Sequence, residues 1–284
     1  YNILNVDAAS TQVGDITILA FDKNDKYVDR LDVDSITLHQ GYCMVRLPFP
    51  EETYHLLIWG GISGYQYQLP NLKAGQTERK SLNISLACDK NQFNRKLNAL
   101  FHSSLENITI SEEYQVITAG LVKNTNYFSC ILQDENTLPL RQEDFAFTLE
   151  STNGVIDYTN TPVGTTPTCY LPYRQELSLT SEQIPIIHAR LNTLRIMKGD
   201  DTTLSIKHTP SGKTILHLPL TQYLLLSKNY PNNIGDISDQ EYLDREDSYT
   251  LMFFIQSSDT GIPRIPTMKV NDWIIRLNDS ELGS

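Results

Sequence analysis

The chain contains 284 residues, of which 40% are hydrophobic and 20% are charged, and its net charge is −11 at neutral pH. This composition is typical of a folded protein, and the length favours two domains over one. The acidic excess argues against binding to nucleic acid or to anionic lipid surfaces, because both are bound through basic patches. The sequence contains no run of about 18 apolar residues, so it predicts no bilayer-spanning helix.

Strands are predicted for most of the first third of the chain. In chain order they are Asp15–Phe21, Tyr42–Leu47, Thr53–Trp59 and Ser81–Ala87. The last of these alternates cleanly, because Leu82, Ile84 and Leu86 fall on one face. Residues 22–25, Asp-Lys-Asn-Asp, have the composition of a turn that leads into Tyr27-Val28.

A helix is predicted after these strands. Asp89 is a suitable N-cap for it. Apolar residues then recur at the spacing of a single helical face, at Phe93, Leu97, Leu100, Phe101 and Leu105. We expect this helix to end before Glu106-Asn107, and a strand to follow at Ile108–Ile110.

The second half of the chain again favours strands. They are predicted at Tyr114–Val122, Tyr127–Leu132, Phe145–Leu149 and Leu191–Met197. A hairpin is predicted where Leu204–His208 and Ile215–Leu218 flank Thr209-Pro210-Ser211-Gly212, because Pro followed by Ser-Gly is typical of a tight turn. Leu220–Leu226 is compatible with either a short helix or a strand.

The C-terminal region has the strongest pattern. Gln240–Ile255 starts with acidic residues and ends as an aromatic strand whose two faces are both mostly apolar, which predicts burial between two layers. A turn region is expected around Pro263 and Pro266. It precedes a closing strand at Met268–Leu277, where the alternation indicates one solvent-facing side.

Many short strands with few helices predict an all-β fold of packed antiparallel sheets, with one or two short helices. We place a domain boundary near Ser111–Tyr114. This gives an N-terminal β-sandwich domain at residues 1–112 and a C-terminal β-sandwich domain at residues 113–284. Composition alone does not choose between the possible sandwich topologies.

The sequence contains no recognisable catalytic or metal-binding motif, and no cofactor is predicted. The Gly61-Ile62-Ser63-Gly64 stretch lacks the Gly-x-Ser-x-Gly spacing of a hydrolase nucleophile elbow. The acidic residues within Asp22–Asp34 lack the EF-hand pattern and are interpreted as a solvated hairpin rim. The histidines form no His-x-x-x-His pair; they stand at His39, His55, His102, His188, His208 and His217.

The four cysteines are Cys43, Cys88, Cys130 and Cys169. Their spacing matches neither a zinc site nor a redox pair. Each lies in or beside an apolar strand-like segment, which favours buried thiols. Disulfides such as Cys43–Cys88 or Cys130–Cys169 remain possible outside the cytoplasm.

Exposed aromatic side chains would allow the protein to bind sugars by ring stacking. Trp59 lies in a fully apolar strand and is predicted to be a core residue. Tyr65 and Tyr67 follow Gly60-Gly61 on a predicted loop and are the candidates for sugar stacking. They support the alternative function of a carbohydrate-binding surface lipoprotein of a glycan-uptake system. A secreted hydrolase would need an acidic pair in a cleft, and no spacing indicates one.

Several short segments, taken in order, resemble a known family. Near the C-terminus they are Leu243-Asp244-Arg245 with Asp247 and Tyr249, and Val270-Asn271-Asp272-Trp273. Earlier in the chain they are Ile58-Trp59-Gly60-Gly61, Leu100-Phe101-His102-Ser103, Leu121–Asn126 and Asn153–Tyr158. From Ile16 to Leu277 the chain is similar to the FimB-like fimbrial anchor lipoproteins of Bacteroidales, although His102-Ser103 stands where His-Gly is expected.

The resemblance implies two tandem transthyretin-like sandwiches and a non-enzymatic fimbrial anchor or accessory subunit that supports adhesion. Fimbrial subunits of this kind polymerise by strand donation, so other fimbrial subunits are the implied partners. The candidate contact residues are Ile16, Ile18 and Ala20 in one segment, and Val270, Trp273, Ile275 and Leu277 in the other.

The printed sequence begins at Tyr1 without a methionine, a basic segment or an apolar leader. We therefore expect a processed or truncated N-terminus from which a targeting signal has been removed. The resemblance implies that this signal is a lipoprotein signal with a cysteine that becomes acylated. Such a lipid would hold the protein at the outer membrane.

Overall fold

The computed structural model describes residues 12–34, 43–228, 237–256, 261–271 and 273–277. Strands dominate this part of the chain, together with two short α-helices and 3-10 turns at Arg79–Ser81 and Gln142–Asp144. The predicted all-β, β-sandwich fold class with one or two short helices is confirmed. None of the helices in the described ranges is long and apolar enough to cross a membrane.

The elements are numbered in chain order. The first eleven strands are β1 (Asp15–Phe21), β2 (Tyr27–Asp34), β3 (Thr53–Gly60), β4 (Tyr67–Gln68), β5 (Asn83–Leu86), β6 (Gln92–Phe93), β7 (Phe101–Thr109), β8 (Val122–Lys123), β9 (Thr125–Asp134), β10 (Phe145–Ser151) and β11 (Val155–Asp157). They are followed by β12 (Thr168–Tyr170), β13 (Arg174–Leu179), β14 (Pro185–Leu194), β15 (Thr203–His208), β16 (Lys213–Pro219), α1 (Leu220–Leu226), α2 (Asp239–Arg245), β17 (Ser248–Gln256), β18 (Arg264–Val270) and β19 (Trp273–Arg276).

The chain folds into two compact units, each built from several stretches of sequence. The first unit falls within Tyr1–Ala87, Leu97–Thr125 and Asn153–Thr165, and the second within Cys88–Lys96, Asn126–Thr152 and Thr166–Ser284. The units therefore interleave along the sequence. The division into folding domains at residues 112 and 113 stays a prediction.

The first unit contains a five-stranded sheet and a three-stranded sheet. Their strand orders are β2-β1-β3-β7-β8 and β11-β5-β4, and the pairings are antiparallel. The five-stranded sheet has apolar side chains packed on both faces. On one face alternate β1 residues pack with Phe49 and Ile58, and on the other face Leu19, Phe21 and Leu57 pack with Leu82. Burial of both faces explains why β1 and β3 are continuous apolar runs rather than alternating ones.

The second unit contains a six-stranded sheet of order β13-β14-β9-β17-β18-β19 and a five-stranded sheet of order β16-β15-β10-β12-β6. Two pairings are parallel, β17 with β9 and β12 with β6, so these sheets are mixed rather than purely antiparallel. Along β17, Tyr249, Leu251, Phe253 and Ile255 are buried, whereas Thr250 is exposed. The other face of β17 is therefore more exposed to solvent than predicted, since the sequence pattern indicated that both faces are buried.

The predicted helix from Asp89 to Leu105 is wrong. Lys90 and Asn91 adopt positive φ angles of 48° and 61°, which a helical first turn does not allow. Phe93 instead pairs with Tyr170 in the five-stranded sheet of the second unit. Phe101 and Leu105 belong to β7, so the apparent helical spacing runs across two separate strands and the segment between them.

Two predicted strands are also absent. The structure assigns no strand to Cys43–Leu47, and within Tyr114–Val122 only Val122 is in a strand. Cys43, Val45 and Leu47 still alternate inward against the first-unit core, as in a strand, but without a ladder. Tyr42 lies outside the described residues.

Other predictions from the pattern hold. The predicted segments at Asp15–Phe21, Thr53–Trp59, Tyr127–Leu132 and Phe145–Leu149 are strands, as are both arms of the 204–218 hairpin. Leu191–Met197 is a strand only as far as Leu194, and Leu220–Leu226 is helical. The Asp22 carboxylate accepts the Asn24 and Lys26 N–H groups at 2.8 and 2.9 Å, which makes the predicted turn.

All four cysteines lie in the described ranges as free thiols, and Cys130 is fully buried. The prediction of buried thiols holds for Cys130, whereas Cys43, Cys88 and Cys169 are only partly buried. Burial raises the pKa of the Cys43, Cys88, Cys130 and Cys169 thiols, so none of them is an activated nucleophile.

Candidate functional site at the sheet edge

The end of the described chain forms one side of the six-stranded sheet. β18 pairs antiparallel with β17, and β19 pairs antiparallel with β18. The predicted closing strand Met268–Leu277 is therefore wrong as a single strand, and Pro266 lies inside β18 rather than in a turn. Asn271 makes the reversal at a φ of 50°, a left-handed conformation that asparagine tolerates. We call β18, β19 and the turn between them the C-terminal hairpin.

β19 is an edge strand, because no further strand pairs with it in the part of the chain that the structure describes. Its register sets Val270 opposite Trp273, and the Leu277 N–H donates to the Pro266 carbonyl at 3.0 Å. Backbone groups of an antiparallel edge strand point alternately inward and outward. Ile274 and Arg276 consequently turn their N–H and C=O groups away from the sheet, where an added strand can bond to them.

The C-terminal contact candidates occupy two different strands. Val270 lies in β18 and is completely buried, so it contributes to the core rather than to the edge. Ile275 and Leu277 are half-buried on β19, while the side chain of Trp273 lies outside the described residues. Ile274, which was not among the candidates, is 61% exposed. The role of these residues in polymer contact stays a prediction.

The N-terminal contact candidates do not lie at an edge. Ile16, Ile18 and Ala20 belong to β1, which pairs with β2 on one side and with β3 on the other. Their side chains are buried in the first-unit core. Because both sides of β1 are taken, a partner strand could reach it only after β2 or β3 had been displaced.

The two sugar-stacking candidates differ sharply in exposure. Tyr65 is 72% exposed, but Tyr67 is only 6% exposed, and its hydroxyl donates to the Asn98 carbonyl at 2.5 Å. Tyr67 is thus a core residue, and the two rings do not form a shared platform. Ser63 and Gly64, which precede Tyr65, line an open cleft of about 510 Å³ together with Arg30.

The described histidines have structural surroundings. His102 is buried against Trp59, with ring centroids 4.4 Å apart. His208 and His217 do not face each other across their hairpin, because their partners in the register are Lys213 and Ser205. His39 lies outside the described residues. Within the described ranges, no group of three or more His, Cys, Asp or Glu side chains is arranged to hold a metal ion.

A family profile described as "Fimbrillin-A associated anchor proteins Mfa1 and Mfa2" matches residues 1–279. The chain belongs to this family. The predicted resemblance to fimbrial anchor proteins is confirmed, and the family is one of anchor and adhesin-like proteins rather than of enzymes. Membership supports an accessory role in a fimbria at the cell surface.

Solved structures share the fold over nearly the whole chain. A candidate polysaccharide-binding protein from Bacteroides thetaiotaomicron is 22% identical, with a TM-score of 0.82, covering 96% of this chain and 93% of that one. A candidate adhesin from the same species is 24% identical, with a TM-score of 0.81 and coverages of 95% and 92%. The fimbrial anchor protein Mfa2 from Porphyromonas gingivalis is 20% identical, with a TM-score of 0.73 and coverages of 94% and 92%. A search of curated protein sequences gives no match.

The segments that resemble the anchor family lie at structural junctions. Gly61 directly follows β3 with a φ of 80°, and a Cβ there would lie 1.9 Å from the Ala99 carbonyl oxygen, so only glycine fits. Asn124 is fully buried, and its side chain exchanges hydrogen bonds with Asn160 at 2.6 and 3.1 Å. These residues stabilise the fold of this chain.

The acidic C-terminal segment of the chain is organised by ion pairs. The Ser238 hydroxyl caps α2 by accepting the Glu241 N–H at 3.1 Å. The Asp244 carboxylate accepts both arms of the Arg195 guanidinium, at 2.8 and 2.6 Å, and Arg245 pairs with Glu241. Part of this acidic run therefore forms structural ion pairs. This ion-paired segment lies directly before β17, the strand that pairs with the C-terminal hairpin.

Sequence reasoning missed two features of the edge. The turn at Asn271 was predicted to be strand, although asparagine and aspartate both favour turns. The strand β13, the opposite edge of the same sheet, was not predicted, although Gln175, Leu177 and Leu179 alternate with more polar residues.

Proposed function

We propose that this chain is a non-enzymatic fimbrial anchor or accessory subunit that assembles with other fimbrial subunits by β-strand complementation and supports adhesion. The single observation that carries the proposal is the open edge of β19, where Ile274 and Arg276 direct their backbone N–H and C=O groups away from the sheet. The chain's membership of the fimbrial anchor family agrees with it. Backbone hydrogen bonds to an added strand give affinity, and the alternating side chains give register.

The test removes one outward N–H and leaves the pairing with β18 intact. Ile274→Pro does this, because the Ile274 N–H faces away from β18 and proline is tolerated at such an edge position. Loss of one hydrogen bond of about 1 kcal/mol predicts about five-fold weaker capture of purified fimbrial subunits. Deletion of Asp272–Ser284 should abolish co-purification with these subunits altogether.

Two variants control for side-chain and folding effects. Ile274→Val keeps the backbone N–H and most of the side chain, so capture should match that of the unmodified chain. Ile275→Pro removes an inward N–H and should lower the thermal midpoint, which Ile274→Pro should not. Full capture by both Ile274→Pro and the deletion variant would refute strand complementation at this edge.

We further propose that an N-terminal lipid holds the protein at the outer membrane. The lipid would lie on a cysteine that precedes Tyr1 in the precursor. One acyl chain binds a bilayer only marginally, so stable anchoring requires a multiply acylated cysteine. Mass spectrometry of the N-terminal peptide of the native protein should find that modification, and an unmodified N-terminus would contradict it.

One observation favours a second candidate function, the binding of a surface glycan. Tyr65, whose ring is exposed, directly follows Ser63 and Gly64 of the 510 Å³ cleft, and Arg30 and Gln68 are polar residues of the cleft lining. Glycan-array binding that is lost on Tyr65→Ala but kept on Tyr114→Ala, another strongly exposed tyrosine, would support this function. No binding by the unmodified chain would exclude it.

A further inference from the structure

The outer strands of the described sheets differ in their protection against unwanted pairing. Natural edges are protected by short length, charged side chains or proline. β4, β6 and β8 have two residues each, β11 has three and β19 has four. β2 carries charges along its length, and β16 ends at Pro219. β13 has six residues, and its second half, Leu177–Leu179, carries neither charge nor proline.

The backbone of β13 presents its apolar residues to the open side. The Thr180 N–H donates to the Ile184 carbonyl at 2.9 Å, where the β13–β14 hairpin closes. From that pair the antiparallel alternation directs Ser178 and Glu176 toward β14. Gln175, Leu177 and Leu179 therefore turn their N–H and C=O groups away from the sheet.

The side chains of these three residues lie on the core face of the sheet. The Gln175 amide donates to the Gln142 and Phe145 carbonyls, both at 2.9 Å, and Leu177 stands opposite Ile187, which is fully buried. Leu177 and Leu179 are nevertheless each 55% exposed. The core face thus ends at two half-exposed leucines, along an edge to which no other strand of the described ranges is paired.

We propose that β13 pairs antiparallel with β13 of a second copy of this chain, centred on Leu177. Two antiparallel registers between the two β13 strands pair five residues of each strand and let their outward N–H and C=O groups bond to each other. One sets Glu176 opposite Glu176 of the second copy, which places like charges face to face. The other sets Leu177 opposite Leu177, Gln175 opposite Leu179 and Glu176 opposite Ser178, so no like charges are directly opposed.

Charge and packing both favour the second register. Its two Glu176 carboxylates lie diagonally, and each is already neutralised within its own copy by Arg174 at 2.7 Å and by Arg190 at 3.7 Å. The leucines at 177 and 179 of both copies form one apolar row on the core face. The two six-stranded sheets then join into one continuous sheet. A ladder this short predicts a weak, concentration-dependent dimer.

Cysteine cross-linking of the full chain tests the register directly. Opposing Cα atoms of a hydrogen-bonded antiparallel pair are about 5.5 Å apart, which suits a disulfide. Mild oxidation of Leu177→Cys should therefore give a covalent dimer. Ser178→Cys is the matched control, because the two residues 178 are offset along the strands and lie beyond the roughly 7 Å limit. The unmodified chain reports any dimer formed through its own thiols.

Charge reversal tests the two-fold contact without oxidation. Leu177→Lys and Leu177→Glu should each sediment as monomers with thermal midpoints near that of the unmodified chain, because the position is half exposed. A one-to-one mixture of the two variants should dimerise. An unmodified chain that stays monomeric at every concentration, or a Ser178→Cys variant that cross-links as well as Leu177→Cys, would overturn the proposal. Capture of a fimbrial subunit by Leu177→Cys in place of a second copy would overturn it as well.

Discussion

Asn271 and Thr250 exchange two hydrogen bonds across the end of the six-stranded sheet. The Asn271 side-chain oxygen accepts the Thr250 N–H at 2.9 Å, and the Asn271 N–H donates to the Thr250 carbonyl at 2.7 Å. The turn of the C-terminal hairpin is thereby tied to β17, the strand beyond its own partner. The position of the β19 edge depends on this link as well as on the ladder with β18.

Substitution of Asn271 should separate the contribution of its side chain from that of its backbone conformation. Asn271→Ala loses a hydrogen bond of about 1 kcal/mol and adds left-handed strain of about 1 kcal/mol at a φ of 50°. Asn271→Gly loses the same hydrogen bond, but glycine adopts the left-handed conformation without strain. Its loss of stability should therefore be about half that of Asn271→Ala. Urea unfolding of the two variants checks the order, and an alanine variant as stable as the glycine variant would contradict it.

Gly61→Ala should be among the most damaging small substitutions in the chain. The new Cβ would lie 1.9 Å from the Ala99 carbonyl oxygen, and the backbone already has a φ of 80°. Since backbone atoms have to move, we expect a loss of more than about 4 kcal/mol or a failure to fold. Gly75→Ala is the matched control, with a φ of 71° and nothing within 4 Å of the added Cβ. It should cost only about 1 kcal/mol, as measured by thermal unfolding.

Sequence reasoning succeeded where local pattern and tertiary environment agree. β1 and β3 are apolar at successive positions because both sheet faces are buried, and the 204–218 hairpin follows from its Pro-Ser-Gly turn. It failed where distant residues decide the structure. Phe93 is in a strand because it pairs with Tyr170, and the sequence around residue 93 does not predict this pairing.

The candidate site was only partly accessible from sequence. The C-terminal segment was correctly placed in the sheet, but which strand is outermost depends on the turn at Asn271 and on pairing with β17. The sequence pattern of Ile16, Ile18 and Ala20 would be the same in an edge strand as in a central one. β1 is central because β2 pairs with one side of it and β3 with the other. Pattern predicts a strand, whereas only the pairing order identifies an edge.

The ion-pair cluster around Arg79 should contribute measurably to stability. Arg79 is 9% exposed, and its guanidinium lies 2.8 Å from the Asp25 carboxylate and 2.5 Å from that of Glu106. Arg79→Met keeps the stem of the side chain but removes the guanidinium from both carboxylates, while His55 stays 2.6 Å from Glu106. Because those carboxylates are half exposed, we expect a loss of about 2 kcal/mol, below the usual cost of breaking a fully buried pair. Lys80→Met, beside it on the surface, should cause no measurable change in urea unfolding.

The same variant should alter the response to acid. Burial acts to raise the pKa of Glu106, but the hydrogen bonds from Arg79 and Ser104 outweigh it and hold the pKa below its ordinary value of 4.5. A lowered native pKa stabilises the fold above pH 4.5, and this stabilisation is lost as the pH falls through the native value. Arg79→Met should therefore differ most from the unmodified chain at neutral pH, with a smaller difference at pH 3. An equal difference at both pH values would contradict the role of Glu106.

Glu246 should show the opposite dependence. Burial raises its pKa from 4.5 to about 6, helped by the neighbouring Asp247 and opposed by a hydrogen bond from the Ser248 backbone. The native state then binds more protons than the unfolded state between these two values, so this residue's contribution to stability falls as the pH rises through about 6. Glu246→Gln cannot ionise and should gain stability over the unmodified chain between pH 4.5 and 6, with a constant advantage above. Thermal midpoints at pH 4.5, 6 and 7.5 measure this difference, and Glu182→Gln in the exposed β13–β14 turn shows what loss of a surface charge does on its own. A Glu246→Gln curve parallel to the unmodified one would mean that this carboxyl group is not held in a protonated state by its surroundings.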